Sequence, residues 1–165
     1  MKLVAANGTA IYDGELSQLK ARGIFRGVSE DMFGPRETTT RGMFLTVLAR
    51  MAGHDTTPPD GEHWQQPALD WAAGTGISDG SAPDDAITRQ ELATILYRYM
   101  GQPACAGDLS AFADSDAISD WAQAAMQWAV GCGILRGDGS GTINPSACAT
   151  RAEIAQIIMN FMTAE

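Results

Sequence analysis

The sequence predicts an all-α protein made of three helix-loop-helix repeats, and two observations carry that prediction. The dipeptide Thr-Arg opens an apolar helix pattern three times, at Thr40-Arg41, Thr88-Arg89 and Thr150-Arg151. A second element, a pair of Trp residues seven apart followed by Gly-x-Gly-Ile, precedes two of those three starts. Self-similarity of this kind is the signature of a repeat architecture.

The Thr-Arg helices come first. After each Arg, apolar residues occupy the same offsets of +3, +4, +6, +7, +10 and +11. The sets read Phe44, Leu45, Val47, Leu48, Met51, Ala52; Leu92, Ala93, Ile95, Leu96, Tyr99, Met100; and Ile154, Ala155, Ile157, Ile158, Phe161, Met162. Offsets of 3, 4, 7 and 11 keep one face of a 3.6-residue period buried. Each Thr stands where an N-cap belongs, its hydroxyl able to accept from an unpaired backbone N–H. Glu91 and Glu153 fall at capping-box spacing from Thr88 and Thr150, whereas the first copy has Met43 there and only half a cap.

The lead helices follow from Trp64 and Trp71 in repeat 2 and from Trp121 and Trp128 in repeat 3. Each predicts a short helix with aromatic anchors, stopped by glycine at Gly74-Thr75-Gly76-Ile77 and Gly131-Cys132-Gly133-Ile134. Pro67 requires the first of these to begin beside it. Repeat 1 keeps Gly23-Ile24-Phe25-Arg26-Gly27 but has Ile11 and Gln18 at the Trp positions, with Tyr12, Leu16 and Leu19 as a weaker apolar stripe. Turn-rich connectors join each Gly-Ile to its Thr-Arg. From that Gly to that Arg is 18 residues in repeats 1 and 3 but 13 in repeat 2, so the second loop (Ser78 to Ala86) is trimmed. Linkers rich in Pro, Gly and Asp at 53–61 and 101–110 divide the chain into units 1–53, 54–101 and 102–165.

Composition narrows the function. Apolar content is 45%, ordinary for a globular chain, and net charge is −9 with 20 acidic and 11 basic residues. Nine of the basic residues are Arg and none form a block, which disfavours nucleic acid as a partner. No stretch reaches the length of a membrane span. The start, Met1 to Gly8, has too short an apolar run for a signal peptide, so the chain reads as cytosolic or as the mature part of an exported protein. Cys105, Cys132 and Cys148 form no CxxC pair and have no nearby His, which argues against zinc. We read them as small half-buried thiols, with a Cys132–Cys148 bridge as the alternative. His54 and His63 read as surface residues, and Asp138-Gly139-Ser140-Gly141 as a polar turn without the alternating ligands of a calcium loop. No cofactor or metal is expected.

An Arg in the first turn of a helix opposes the dipole, and here it occurs three times. Arg beside free N–H groups makes a carboxylate or phosphate pocket, because guanidinium can grip a carboxylate with two parallel hydrogen bonds. The competing role is a tie to an acid in the preceding loop; we place ligand contact ahead of it for Arg41, Arg89 and Arg151. Trp64 and Trp121, at their helix starts, are candidates to stack on sugar faces, and Trp71 and Trp128 are core anchors.

Together these residues resemble the S-layer homology domain family. Repeat 3 carries Phe112-Ala113-Asp114, Trp121, Gly133-Ile134-Leu135-Arg136-Gly137, Ile143-Asn144-Pro145 and Thr150-Arg151-Ala152-Glu153. Repeat 2 matches at Trp64, Gly76-Ile77-Ser78-Asp79-Gly80 and Ile87-Thr88-Arg89-Gln90-Glu91, keeping only Pro83 of its loop motif. Repeat 1 matches at Gly23 to Gly27, Phe33-Gly34-Pro35 and Thr40-Arg41, then departs at Gly42-Met43. The resemblance implies a pseudo-threefold spindle around a central bundle of the Thr-Arg helices. It further implies a non-catalytic module that anchors exported proteins at the bacterial cell surface. The implied ligand is an anionic secondary cell-wall polymer bearing pyruvylated N-acetylmannosamine, held in grooves between repeats by the Thr-Arg arginines and the loop glycines Gly27, Gly80 and Gly137. A closed spindle of this kind is expected to be monomeric and not inserted in a membrane. A helical protein-interaction module is the alternative, and a hydrolase using Asp114, Asp116 and Asp120 is a third reading with nothing to organise the acids. Because repeat 1 lacks its Glu, ligand contact is expected at Arg151 or Arg89 before Arg41.

Overall fold

Three of the five described helices begin at the Thr-Arg dipeptides. The computed structural model describes residues 3–4, 10–11, 23, 36–104 and 106–164. The helices are α1 (Arg41–Met51), α2 (Gln66–Thr75), α3 (Arg89–Tyr99), α4 (Gln123–Gly131) and α5 (Arg151–Ala164). The fold is all-α; its one described strand pairing is a two-residue antiparallel ribbon, Leu3–Val4 against Ala10–Ile11. That ribbon has no signal in the repeat pattern, and it puts Ile11 on a strand instead of at a helix start. The weaker stripe of Tyr12, Leu16 and Leu19 lies outside the described residues.

The caps form as their spacing predicts. Thr40 Oγ1 accepts from the Met43 N–H at 3.2 Å, and no reciprocal bond is possible from Met43. At α3 the box is complete: Glu91 N–H donates to Thr88 Oγ1, and Thr88 N–H donates to Glu91 Oε2 at 2.9 Å. At α5 Thr150 N–H donates to Glu153 Oε2 at 2.8 Å and Glu153 N–H returns to Thr150 Oγ1. Each Thr thus makes an N-cap worth about 1 kcal/mol, and α1 lacks only the reciprocal Glu bond.

One core receives the apolar offsets. Phe44, Leu92 and Ile154 at +3, and Leu48, Leu96 and Ile158 at +7, are fully buried, with Leu45, Ala93 and Ala155 beside them. Each large side chain removed from water contributes about 1.5–3 kcal/mol. The pattern fails at +11, where Ala52 and Met100 are exposed. Those residues are the C-caps of α1 and α3, so the helices end before the stripe does.

The lead helices pack each on the Thr-Arg helix of the preceding repeat, α2 on α1 and α4 on α3. Pro67 sits in the first turn of α2, where its missing N–H costs nothing. Gly76 ends α2 at φ +74°, a left-handed position that favours glycine. Trp128 is buried among Tyr97 and Phe161, while Trp71 is only half-buried between His54 and Tyr99. Cys132 and Cys148 are both exposed, not half-buried as expected, and do not bridge each other.

The three helix starts are joined by a cycle of backbone hydrogen bonds. Thr39 N–H donates to Ala149 C=O at 3.0 Å, Ala149 N–H to Ile87 C=O at 3.0 Å, and Ile87 N–H to Thr39 C=O at 2.9 Å. A second cycle surrounds it: Arg41 N–H to Asp85 C=O, Arg89 N–H to Ala147 C=O, and Arg151 N–H to Glu37 C=O, at 2.8–3.0 Å. Each repeat thus satisfies helix-start donors of its neighbour. Among the described residues, no helix is long and apolar enough to cross a membrane.

Candidate functional site

The cycle places two of the three repeated arginines, Arg41 and Arg89, beside the next repeat's capping Glu. In Glu91, Oε2 caps α3 while Oε1 accepts from Arg41 Nη1 at 2.9 Å. In Glu153, Oε2 caps α5 while Oε1 lies 3.7 Å from an Nη of Arg89. One carboxylate therefore does two jobs, one for each helix it touches. Met43 removes both at the third junction, where Arg151 instead feels the charge of Glu37.

The three arginines end in different surroundings. Arg89 is 9% exposed. Its Nε donates to the Ile143 carbonyl at 2.9 Å and an Nη to the Arg136 carbonyl at 2.6 Å, both in the long loop of repeat 3. Burial pushes the Arg89 guanidinium below its ordinary value, while Glu153, Asp138 and Asp114 pull it back; Arg remains charged regardless. Arg151 is likewise buried, with the same direction of shift from the same cause. Arg41 is less buried than the other two, with its side chain 20% exposed. Its Nε is shielded from solvent yet has no hydrogen-bond partner among the described residues.

Arg41 lines a groove of about 260 Å³ together with Ser78, Asp79, Glu91, Arg98 and Trp121. Its walls come from separate elements: Arg41 opens α1, Asp79 lies in the loop after α2, Arg98 is on α3 and Trp121 stands just ahead of α4. Trp121 is 56% exposed, an aromatic face left to solvent. Trp64 is also exposed, at 42%, but stands beside His63 and is not among the residues lining this groove. The groove holds two guanidinium groups and two carboxylates. Asp79 is kept below its usual value by the backbone N–H and hydroxyl of Ser81, with Arg41 adding to the effect.

The loop glycines hold the walls in shape. At Gly137 an added Cβ would lie 2.7 Å from Phe112 Cε1 and 2.9 Å from the Thr142 carbonyl, so the aromatic of Phe112-Ala113-Asp114 occupies that space. Gly80 stands at φ +73° with room around it. Gly27 lies outside the described residues. Asp114 accepts from the Ile143 and Asn144 N–H groups at 2.9 and 2.7 Å, pinning the loop that reaches Arg89. That commitment separates it from Asp116 and Asp120, which line another cleft. Asp138 accepts from Ser140, Thr142 and Asn144, which hold its carboxyl far below the usual range. The described residues contain no cluster able to hold a metal.

Sequence reasoning missed Arg98. Its signal is a polar residue at offset +9 in every Thr-Arg helix: Arg50, Arg98 and Asn160. Arg98 donates to the Ile77 carbonyl at 3.4 Å and Asn160 to the Ile134 carbonyl at 3.3 Å, the same Ile of Gly-x-Gly-Ile in each repeat.

Capped helices whose starts hydrogen-bond in a cycle, with a cleft between neighbours, define an α-helical tandem-repeat module. The chain belongs to the S-layer homology domain family, which matches residues 6–43 and 111–155, half of the chain. The matched segments are in repeats 1 and 3; the stretch between them carries the trimmed loop. The chain is 30% identical over 152 residues to the surface-layer 125 kDa protein of Lysinibacillus sphaericus, covering 82% of this chain and 13% of that protein. It is 29% identical over 159 residues to exoglucanase XynX of Acetivibrio thermocellus, covering 87% and 15%. Similarity to the cellulosome-anchoring protein of the same species is 25% over 154 residues, covering 81% and 34%. The chain thus spans about a third or less of each of these relatives. A segment shared by an exoglucanase, a surface-layer protein and an anchoring protein is common to proteins with different names, and it is a small part of the enzyme.

Proposed function

We propose that this chain is a non-catalytic cell-wall anchoring module at the bacterial cell surface. Its ligand is an anionic secondary cell-wall polysaccharide bearing pyruvylated amino sugar. In this reading the units 1–53, 54–101 and 102–165 form a monomeric pseudo-threefold spindle, and ligand enters an inter-repeat groove. The observation that carries it is the groove itself, where the Arg41 and Arg98 guanidinium groups stand beside the exposed Trp121 face. A guanidinium edge of that kind takes a planar carboxylate through two parallel hydrogen bonds, and the indole face suits a sugar ring. Arg89 has spent its donors on the protein, so Arg41 now leads the order of candidates. The family membership and the surface-layer and anchoring names of two relatives support the surface role. With net charge −9 the chain repels an anion at long range, so affinity rests on this local pocket and weakens little with salt.

Co-sedimentation with purified bacterial cell walls tests the reading. Binding should disappear when the secondary polymer is stripped from the walls and should fall at least about tenfold in Arg41→Ala, the loss of a charge-assisted hydrogen-bond pair. Retention on stripped walls would instead point to a protein or peptidoglycan partner and would sink the proposal.

A further inference from the structure

Asp79 brings a carboxylate oxygen with no partner to the wall of a groove that also holds two guanidinium groups. Its Oδ1 accepts both the N–H and the hydroxyl of Ser81, at 2.9 and 2.7 Å, and its Oδ2 has no hydrogen-bond partner among the described residues. The same Asp-Gly-Ser turn recurs at Asp138, whose Oδ1 likewise takes the N–H and the hydroxyl of Ser140. There Oδ2 is engaged too, by the Thr142 hydroxyl at 2.8 Å and the Asn144 amide at 3.0 Å. The trimmed loop of repeat 2 runs from Ser81 straight to Ala82 and Pro83, and so has no such donors. One oxygen suffices for the turn at Asp79, and the other is left over.

The remaining charges of the groove are unequal. Arg41 gives one N–H to Glu91 at 2.9 Å. Arg98 is exposed, has no ion pair among the described residues, and makes only the 3.4 Å bond to the Ile77 carbonyl. Two guanidinium groups against two carboxylates leave the groove without net charge. It can hold one anionic group, but it has no excess of positive charge for a second. An ionised carboxylate has no proton to donate and only accepts hydrogen bonds. Asp79 Oδ2 therefore suits a hydroxyl or an amide N–H and repels another anion placed against it.

From this we infer that Asp79 is a specificity residue of the groove. It accepts from a hydroxyl or amide N–H beside the ligand's single carboxylate, and it excludes chains that bring a phosphate to that place. A repulsive element set next to an attractive one is a general route to specificity. This inference rests on the carbohydrate reading above and adds to it which anionic polymers the groove refuses.

Isothermal titration calorimetry of the intact chain tests it with two probes, the methyl glycoside of pyruvylated N-acetylmannosamine and an oligomer of glycerol phosphate. The wild-type chain should bind the oligomer at least about tenfold more weakly than the glycoside. Asp79→Asn keeps an oxygen for Ser81, so the turn survives, and it should narrow that gap at least about fivefold, chiefly by tightening the oligomer. Asp60→Asn removes the same charge from an exposed linker position and should leave the gap as it is. Equal wild-type affinity for the two probes, an unchanged gap in Asp79→Asn, or an equal change in Asp60→Asn would each overturn the inference while leaving the carbohydrate reading intact. Failure of the wild-type chain to bind the glycoside would remove that reading and the inference with it.

Discussion

The junction between repeats 1 and 2 and that between repeats 2 and 3 are built from the same parts and solve the same packing problem differently. Both place an Arg against the next helix's capping Glu, and both need one Gln amide between Thr-Arg helix and lead segment. At the second junction the Gln comes from the Thr-Arg helix: Gln90 Oε1 accepts from the Ser119 N–H, and the lead segment offers a small Ala122. At the first it comes from the lead segment: Gln65 donates to Asp84, and the Thr-Arg helix retreats to Gly42. A Cβ at Gly42 would overlap Gln65 Oε1. Gly42 therefore answers a bulky neighbour, and its departure from the family's Ala is compensated across the junction. The lesson is that volume is conserved per junction, not per repeat.

The strongest way to break the equivalence is to remove each Arg. Arg89→Ala leaves two loop carbonyls and Glu153 without their buried partner and should cost about 3 kcal/mol. Arg41→Ala removes a partly exposed pair and should cost about 1 kcal/mol or less. Urea midpoints measure both, and equal losses would contradict the difference between the junctions. Next in size, Gly42→Ala should destabilise by about 1–3 kcal/mol through overpacking. Gln65→Ala in the same chain should recover most of that, and a purely additive double mutant would show that the two residues do not compete for one space.

Met43→Glu sharpens the comparison from the other side. It completes the α1 capping box, so a gain of about 0.5–1 kcal/mol is expected by thermal unfolding. A loss would mean that the reciprocal bond adds nothing at this helix start. The smallest effect concerns Asp138. Its folded pKa lies below the ordinary 3.8, so its contribution is present above that pH and is lost as pH falls further. Asp138→Asn should flatten the acid limb of the stability curve below about pH 4 without changing the neutral plateau's shape, read from urea midpoints between roughly pH 5 and 2.

These comparisons mark what the sequence could reveal. Helix starts at Thr40, Thr88 and Thr150 were legible because capping and periodicity act within a few residues. Exposed Trp121 and Trp64 are legible because a residue just ahead of a helix has fewer neighbours than one inside it. The groove was less so. Glu91 and Glu153 each spend one oxygen inside their own helix and one on the previous repeat, and only the first use has a sequence spacing. The capping Glu gives a reason to rank Arg151 and Arg89 ahead of Arg41, but no local spacing reveals that the Ile143 and Arg136 carbonyls of a distant loop bond to Arg89.

The cycle through Thr39, Ile87 and Ala149 has one more consequence. An open array of repeats has two ends, and its outer units can peel away while the middle stays folded. In this chain the first and last Thr-Arg helices are direct hydrogen-bonded neighbours, so no described repeat occupies an end. Deleting any one unit breaks two of the three links in the ring at once. The molecule should therefore lose its three helices in a single step, as a clasp opens, with no stable two-repeat remnant.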